Sequence, residues 1–150
     1  MEPVIDPYTD ILIVGSYPSE ISLISGQYYG NPRNHFWKLV GCVLDVDLVG
    51  LDYDKRLRIL QEHRIGLWDT LKSCQRKGSL DSNIQKEIYN DLSGLTHIHR
   101  IICNGSMAGK YIRHCKVPAD VMVFTVASSS SARVMKFSEK LEQWKKAMSC

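Results

Sequence analysis

The chain is expected to fold as an α/β protein around a short, mainly parallel four-stranded sheet. Apolar runs of strand length, rich in β-branched residues, recur at 10–14, 65–68, 100–103 and 121–126. The stretches between them carry apolar residues at helical spacing, which favours right-handed crossovers and a sheet covered on both faces. The loops after the runs begin at Gly15, Asp69, Asn104 and Ala127 and are rich in Ser, Asn, Gly and Tyr. In a parallel arrangement those loops share one rim, where α/β proteins place their ligands.

The first run is stopped by Gly15, and Phe36, Trp37, Val40, Val43 and Leu44 then share a helix face. Leu57, Ile59 and Leu60 mark a second helix in a basic segment. After the strand at 65–68, Ile84, Ile88 and Leu92 recur at four-residue spacing and predict another helix. The strand at 100–103 gives way at Asn104-Gly105 to a helix carrying Met107, Ala108, Tyr111 and Ile112. After the run at 121–126, a last helix is expected from about 131 to 148, with Val134, Phe137, Leu141 and Trp144 on one face. Four serines, Ser128 to Ser131, read as a loop or a helix cap.

At 150 residues and 44% hydrophobic content, the chain suits a single domain spanning 1–150 with one layered core. A formal net charge of +3 permits a polyanionic partner without requiring one. The five cysteines, Cys42, Cys74, Cys103, Cys115 and Cys150, are odd in number and form no Cys-x-x-Cys pair. They suggest neither a disulfide framework nor a metal site, and they fit a reducing compartment. The first six residues hold two acids and no basic or apolar leader, and no apolar run approaches the length of a membrane span. A soluble, intracellular protein with no membrane association, no metal and no cofactor is expected.

The densest chemistry lies in Gly15-Ser16-Tyr17-Pro18-Ser19 and in Gln27-Tyr28-Tyr29-Gly30-Asn31-Pro32-Arg33-Asn34-His35-Phe36-Trp37. Adjacent tyrosines in a polar loop can stack a flat ring, although they can equally plug the top of a sheet; their flanking glycines favour the platform. Asn34 can cap the following helix or align a water with an electrophilic carbon, and spacing alone does not choose. The turn at Gly15 matches neither G-x-G-x-x-G nor G-x-S-x-G, so dinucleotide binding and a hydrolase nucleophile elbow are both unsupported. Arg76 and Ser79 lie in a segment suited either to backbone phosphates or to a solvated loop.

Taken in order with Ser22-Leu23, Gly66-Leu67-Trp68-Asp69, Gly78-Ser79-Leu80-Asp81 and Asn104-Gly105, these stretches resemble the hypoxanthine (deoxyinosine)-DNA glycosylases of the uracil-DNA glycosylase superfamily. The resemblance implies a three-layer α/β/α fold and hydrolysis of the N-glycosidic bond of deaminated adenine in DNA. It implies that Asn34 positions the attacking water and that Gly15, Ser16, Tyr17 and Pro18 line the base pocket. By the same likeness Tyr29 stacks on the extruded base and Asn104 helps hold its edge. Where the family's last loop usually reads Pro-Ser-Thr-Ser-Pro-Ala, this chain has Ala127-Ser128-Ser129-Ser130-Ser131-Ala132. Both prolines are gone, while Ser128, Ser129 and Ser130 remain to meet the DNA backbone.

The expected activity is that of a monomeric, monofunctional DNA glycosylase that leaves an abasic site and has no lyase step. Its substrate is DNA containing deaminated bases, hypoxanthine first, with uracil or xanthine as the nearest alternatives. A catalytically silent nucleic-acid-binding module of the same fold is the rival from another class. A flavodoxin-like small-molecule enzyme is a third reading, against which the missing phosphate cradle counts.

Overall fold

A computed structural model describes residues 1–149, so Cys150 lies outside the described residues. The elements are β1 (Ile11–Gly15), α1 (Glu20–Ser25), α2 (Phe36–Leu44), α3 (Tyr53–Glu62), β2 (Ile65–Asp69), β3 (Leu71–Gln75), β4 (Gln85–Tyr89), β5 (Arg100–Asn104), α4 (Ser106–Tyr111), β6 (Met122–Val126) and α5 (Phe137–Ser149). Short 3-10 turns occupy Asp81–Asn83 and Ile112–His114.

The main sheet has strand order β2-β1-β5-β6, and each neighbouring pair is parallel. Ile13 stands between Leu67 and Ile102 in register. Because side chains alternate across a strand, Ile13, Leu67 and Ile102 join Phe36, Trp37, Val40, Leu60 and Trp144 on the face covered by α2, α3 and α5. Leu12, Val14, Ile101 and Cys103 point the other way, against Leu92, Ile98, Ala108 and Ile112. Burial on both faces is why β1, β2 and β5 read as apolar runs, whereas the edge strand β6 is largely exposed; the two covered faces give the expected three layers.

Two expectations along the chain are corrected. The spacing of Ile84, Ile88 and Leu92 belongs to no helix: β4 pairs antiparallel with β3, and the ribbon carries register shifts between Leu71, Ser73 and Gln75. Ile84 and Leu92 are buried in separate clusters, while Ile88 is exposed, so no common apolar face exists. The last helix begins at Phe137 rather than near 131, and Val134 is 88 % exposed. The serines explain the delay: Ser128 Oγ accepts from Ser130 N at 3.1 Å and Ser130 Oγ from Ala132 N at 3.2 Å, local turns that compete with a helix.

No helix among the described residues is long and apolar enough to cross a membrane.

Candidate active site

The loops after β1, β2, β5 and β6 close around a cleft of about 390 Å³ at the carboxyl edge of the sheet, within the size range of small-molecule pockets. Gly15, Ser16, Tyr17, Pro18, Tyr29, Asn34, Ser79, Asn104, Ser128, Ser129 and Ser130 all line it. They reach it from five separate parts of the chain.

β1 ends at Gly15 because no side chain fits there: a Cβ would stand 2.9 Å from Asp69 Oδ1 and 3.5 Å from Tyr29 Oη. The loop that follows is clamped from both sides. Ser16 Oγ donates to Asp81 Oδ1 at 2.6 Å, and Glu20 N donates to Ser79 Oγ at 3.0 Å. Ser19 caps α1 by accepting from Ser22 N at 3.2 Å, and Ser22 Oγ accepts from Gly30 N at 3.1 Å, tying α1 to the tyrosine loop.

Arg76 departs from its expected place. It does not line the cleft; its guanidinium donates to Gly78 O at 2.9 Å, Tyr17 O at 3.4 Å and Pro18 O, and lies 5.4 Å from the Tyr17 ring centre. The β3–β4 ribbon, which the sequence did not reveal, folds this arginine back onto the pocket wall. It braces the loop where a phosphate contact was expected.

The two tyrosines separate. Tyr28 is 3 % exposed and borders the cleft only at its floor, its ring packed in the core and its hydroxyl donating to Glu2 O at 2.8 Å. Tyr29 adopts φ 55°, which turns its side chain towards the cleft, and it stacks on Phe36 with ring centres 3.8 Å apart. Burial pushes its hydroxyl well above the ordinary range, so it remains protonated.

Asn34 combines both of its candidate roles in position. Its Oδ1 accepts from Phe36 N at 2.9 Å, satisfying a free N–H at the start of α2, and the side chain lines the cleft. That bond fixes the amide plane and leaves a second lone pair on Oδ1.

Asn104 is engaged on both sides. Its Nδ2 donates to Ser129 Oγ at 2.8 Å and to Tyr29 Oη at 3.3 Å, and its Oδ1 accepts from Ser129 N at 2.8 Å. Both amide hydrogens are thus committed within the protein, which makes Asn104 a brace for Tyr29 and the last loop before it is a contact for a base edge. Gly105, at φ 101°, lets the chain turn into α4 where a Cβ would meet that of Ser128 at 3.0 Å.

The proline-less loop is held from every side. Ala127 N donates to Gln143 Oε1 at 2.8 Å, Trp144 Nε1 to Ala127 O at 3.0 Å, His35 N to Ser129 O at 3.0 Å and Lys140 Nζ to Ser130 O at 3.1 Å. Ser129 is fully buried, so its side chain braces the loop and does not face a DNA backbone. Ser128 and Ser130 are half-buried, and their hydroxyls accept from backbone N–H groups, leaving each O–H free to donate outward.

Asp69 was not singled out as a site residue from the sequence, although an acid closing an apolar strand was its signal. It is 5 % exposed in the cleft wall, and its Oδ2 has no hydrogen-bond partner among the described residues. Burial raises its carboxyl to about 7; the amino terminus and Arg76 oppose the rise, and Asp81 adds to it. Lys140 was also missed, having read as part of a solvated helix face. It is 2 % exposed, and burial, helped by Arg133, lowers its pKa.

The model of the uracil DNA glycosylase superfamily matches residues 2–149. The chain belongs to this superfamily. It is 49% identical over 112 residues to a hypoxanthine DNA glycosylase of Methanosarcina acetivorans, covering 72% of this chain and 71% of that protein. It is 41% identical over 113 residues to a hypoxanthine DNA glycosylase of Methanosarcina barkeri, covering 73% and 72%. A Methanosarcina acetivorans protein provisionally assigned as a uracil DNA glycosylase, solved by solution NMR, superposes with a TM-score of 0.85 at 38% identity, over 98% of this chain and 93% of its own. The expected α/β/α fold and the glycosylase family agree with these comparisons.

Proposed function

We propose that this superfamily member hydrolyses the N-glycosidic bond of deoxyinosine in DNA, releasing hypoxanthine and leaving an abasic site. The observation that carries the proposal is the fixed amide of Asn34 on the wall of the cleft at the carboxyl edge of the sheet. The name shared by the two Methanosarcina relatives supports the choice of base.

The target bond is buried in a duplex, so the nucleotide must rotate out into the cleft, which costs least for a mispaired base such as hypoxanthine opposite thymine. The glycosidic bond then breaks through an oxocarbenium-like transition state. Water adds its oxygen to C1′, the C1′–N9 bond gives its electron pair to the base, and the water proton passes to solvent or to the base. The second lone pair of Asn34 Oδ1 accepts a hydrogen bond from that water and aims its oxygen at C1′. Lys140 Nζ is engaged by Ser130 O behind the loop and is not placed as an amine nucleophile. This supports hydrolysis without a lyase step.

Ser79, Ser128 and Ser130 surround the opening with Arg133, a set suited to phosphates on either side of the extruded nucleotide. The cleft is built within one chain, as a monomeric enzyme requires. An intracellular location suits a genomic substrate and the free thiols of Cys42, Cys74, Cys103 and Cys115.

The test is incubation with oligonucleotides carrying one deoxyinosine or one deoxyuridine, single-stranded and duplex, followed by alkaline cleavage. Cleavage at inosine that vanishes in Asn34→Ala supports the proposal. Cleavage confined to uracil moves the chain to another specificity within the superfamily, and DNA binding without cleavage leaves a silent module.

A further inference from the structure

Outside the cleft, a groove of about 460 Å³ lies on the β3–β4 ribbon, within the size range of small-molecule pockets. It is lined by Gln75, Arg76, Lys77, Ser82, Asn83 and Gln85, so amides, a hydroxyl and two cations meet there with no carboxylate among them. Ser82 lines the groove and the cleft alike, and the two adjoin at the 3-10 turn. The acid of that turn, Asp81, lines the cleft instead and accepts from Ser16 Oγ at 2.6 Å.

The ribbon presents these groups outward. Gln75 and Gln85 are partners in register, which sets their side chains on one face. The register shifts between Ser73 and Gln75, and Lys86 takes φ 54°, marks of a bulge that bends a strand and re-aims its side chains. Asn83 Nδ2 donates to Lys77 O at 3.0 Å and fixes the turn, while buried Ile84 anchors the ribbon to the body beside Leu71 and Tyr111. Arg76 is occupied by the carbonyls of Tyr17, Pro18 and Gly78. Lys77, Gln75 and Gln85 are exposed, and their side chains have no hydrogen-bond or ion-pair partner among the described residues.

An uncompensated ammonium ringed by amide and hydroxyl donors is complementary to a phosphodiester, whose oxygens accept and whose charge is negative. A nucleotide extruded into the cleft stays joined to its neighbours, so the backbone must leave the cleft mouth on both sides. The groove beyond Ser82 is the exit on the ribbon side.

Resting on the glycosylase reading, we infer that this groove is a subsite for the nucleotide next to the extruded one on the same strand, with Lys77, Gln75 and Gln85 on its phosphate. Contacts of this kind set the register of the strand and act on affinity rather than on bond cleavage.

The experiment uses single-stranded oligonucleotides with one 2′-fluoro-deoxyinosine, whose fluorine suppresses base loss. One is flanked on both sides; the other two end at the modified nucleotide, on its 5′ or on its 3′ side. Lys77→Gln should weaken the doubly flanked oligonucleotide by about three- to tenfold and lower the slope of log affinity against log salt by about 0.7. It should weaken one end-trimmed oligonucleotide by the same factor and leave the other unchanged, because the latter lacks the nucleotide that Lys77 holds. Gln75→Ala combined with Gln85→Ala should show the same dependence on the same flank. Arg64→Gln removes a charge from an exposed residue just before β2, at the opposite edge of the sheet, and should change none of the three. All these side chains are exposed, so the variants should fold, as thermal melts will show.

Unchanged affinity of Lys77→Gln for the doubly flanked oligonucleotide, or an equal loss on all three, overturns the inference. So does a fall in single-turnover excision at saturating protein. Excision of ordinary deoxyinosine is measured alongside. Flank-dependent loss with no excision by the wild type overturns the glycosylase reading but supports the subsite; excision without flank-dependent loss overturns only the subsite.

Discussion

Asn104 and Ser129 hold each other by two hydrogen bonds of 2.8 Å, one from the amide to the serine hydroxyl and one from the serine N–H to the amide oxygen. This pair ties the end of β5 to the last loop and, through Tyr29, to the cleft wall. Asn104→Ala strands a fully buried serine N–H and hydroxyl. The loss should be about 2–4 kcal/mol in denaturant unfolding, with a fall in excision exceeding that of a surface substitution.

Asn34 carries a structural and a chemical duty on one oxygen, and the two can be separated. Asn34→Ala should destabilise the protein by about 1 kcal/mol through the lost bond to Phe36 N. It should also lower single-turnover excision by about 10²–10⁴-fold. Asn34→Ser retains a capping oxygen but not its reach, so unfolding should stay near wild type while excision remains low. Recovery of activity in the serine variant would refute the water-positioning role.

The raised carboxyl of Asp69 makes stability depend on pH in a defined direction. The folded state holds this proton up to about 7, whereas the unfolded chain releases it near 3.8, the ordinary value for an aspartate. Stability attributable to Asp69 is therefore greatest at low pH and is lost as pH rises through that interval, by roughly 4 kcal/mol once both states are ionised. Asp69→Asn should remove this component and be more stable than wild type at about pH 8. Urea unfolding of both proteins across the interval will measure it.

Lys140 stands behind the serine loop with its ammonium on Ser130 O at 3.1 Å. Lys140→Met fills similar space without a buried charge, so stability should change by less than about 1.5 kcal/mol. Excision should nevertheless drop about tenfold, because the loop loses a support where the family's usual motif has prolines. The folded lysine binds its proton less tightly than the unfolded one, so its contribution to wild-type stability improves as pH rises from its lowered pKa towards 10.5. The methionine variant should lack that rise.

Much of the architecture was legible because it is written locally. Residues 11–14 and 101–103 are apolar at successive positions since both faces of their strands are covered, and such a run needs no partner to be recognised. The rim followed from handedness, which brought Gly15, Asn34, Asn104 and the serines to one cleft. Helix or strand at 84–92 was not local: a period of four suits a helix, and only hydrogen bonding to β3 decided otherwise.

The sequence by itself determined the four strands of the main sheet, the rim on which the polar loops gather, and the family motifs that carry Asn34. Only the tertiary structure decided that the Tyr28 hydroxyl is spent on Glu2 O while that of Tyr29 meets Asn104, that Arg76 braces a loop, that Lys140 is buried, and that Asp69 has an oxygen without a partner among the described residues. The physical reason is that backbone propensity and apolar periodicity act between near neighbours. Burial and hydrogen-bond partnership depend on residues brought together from distant parts of the chain, as Asp69, Gly15 and Tyr29 are here.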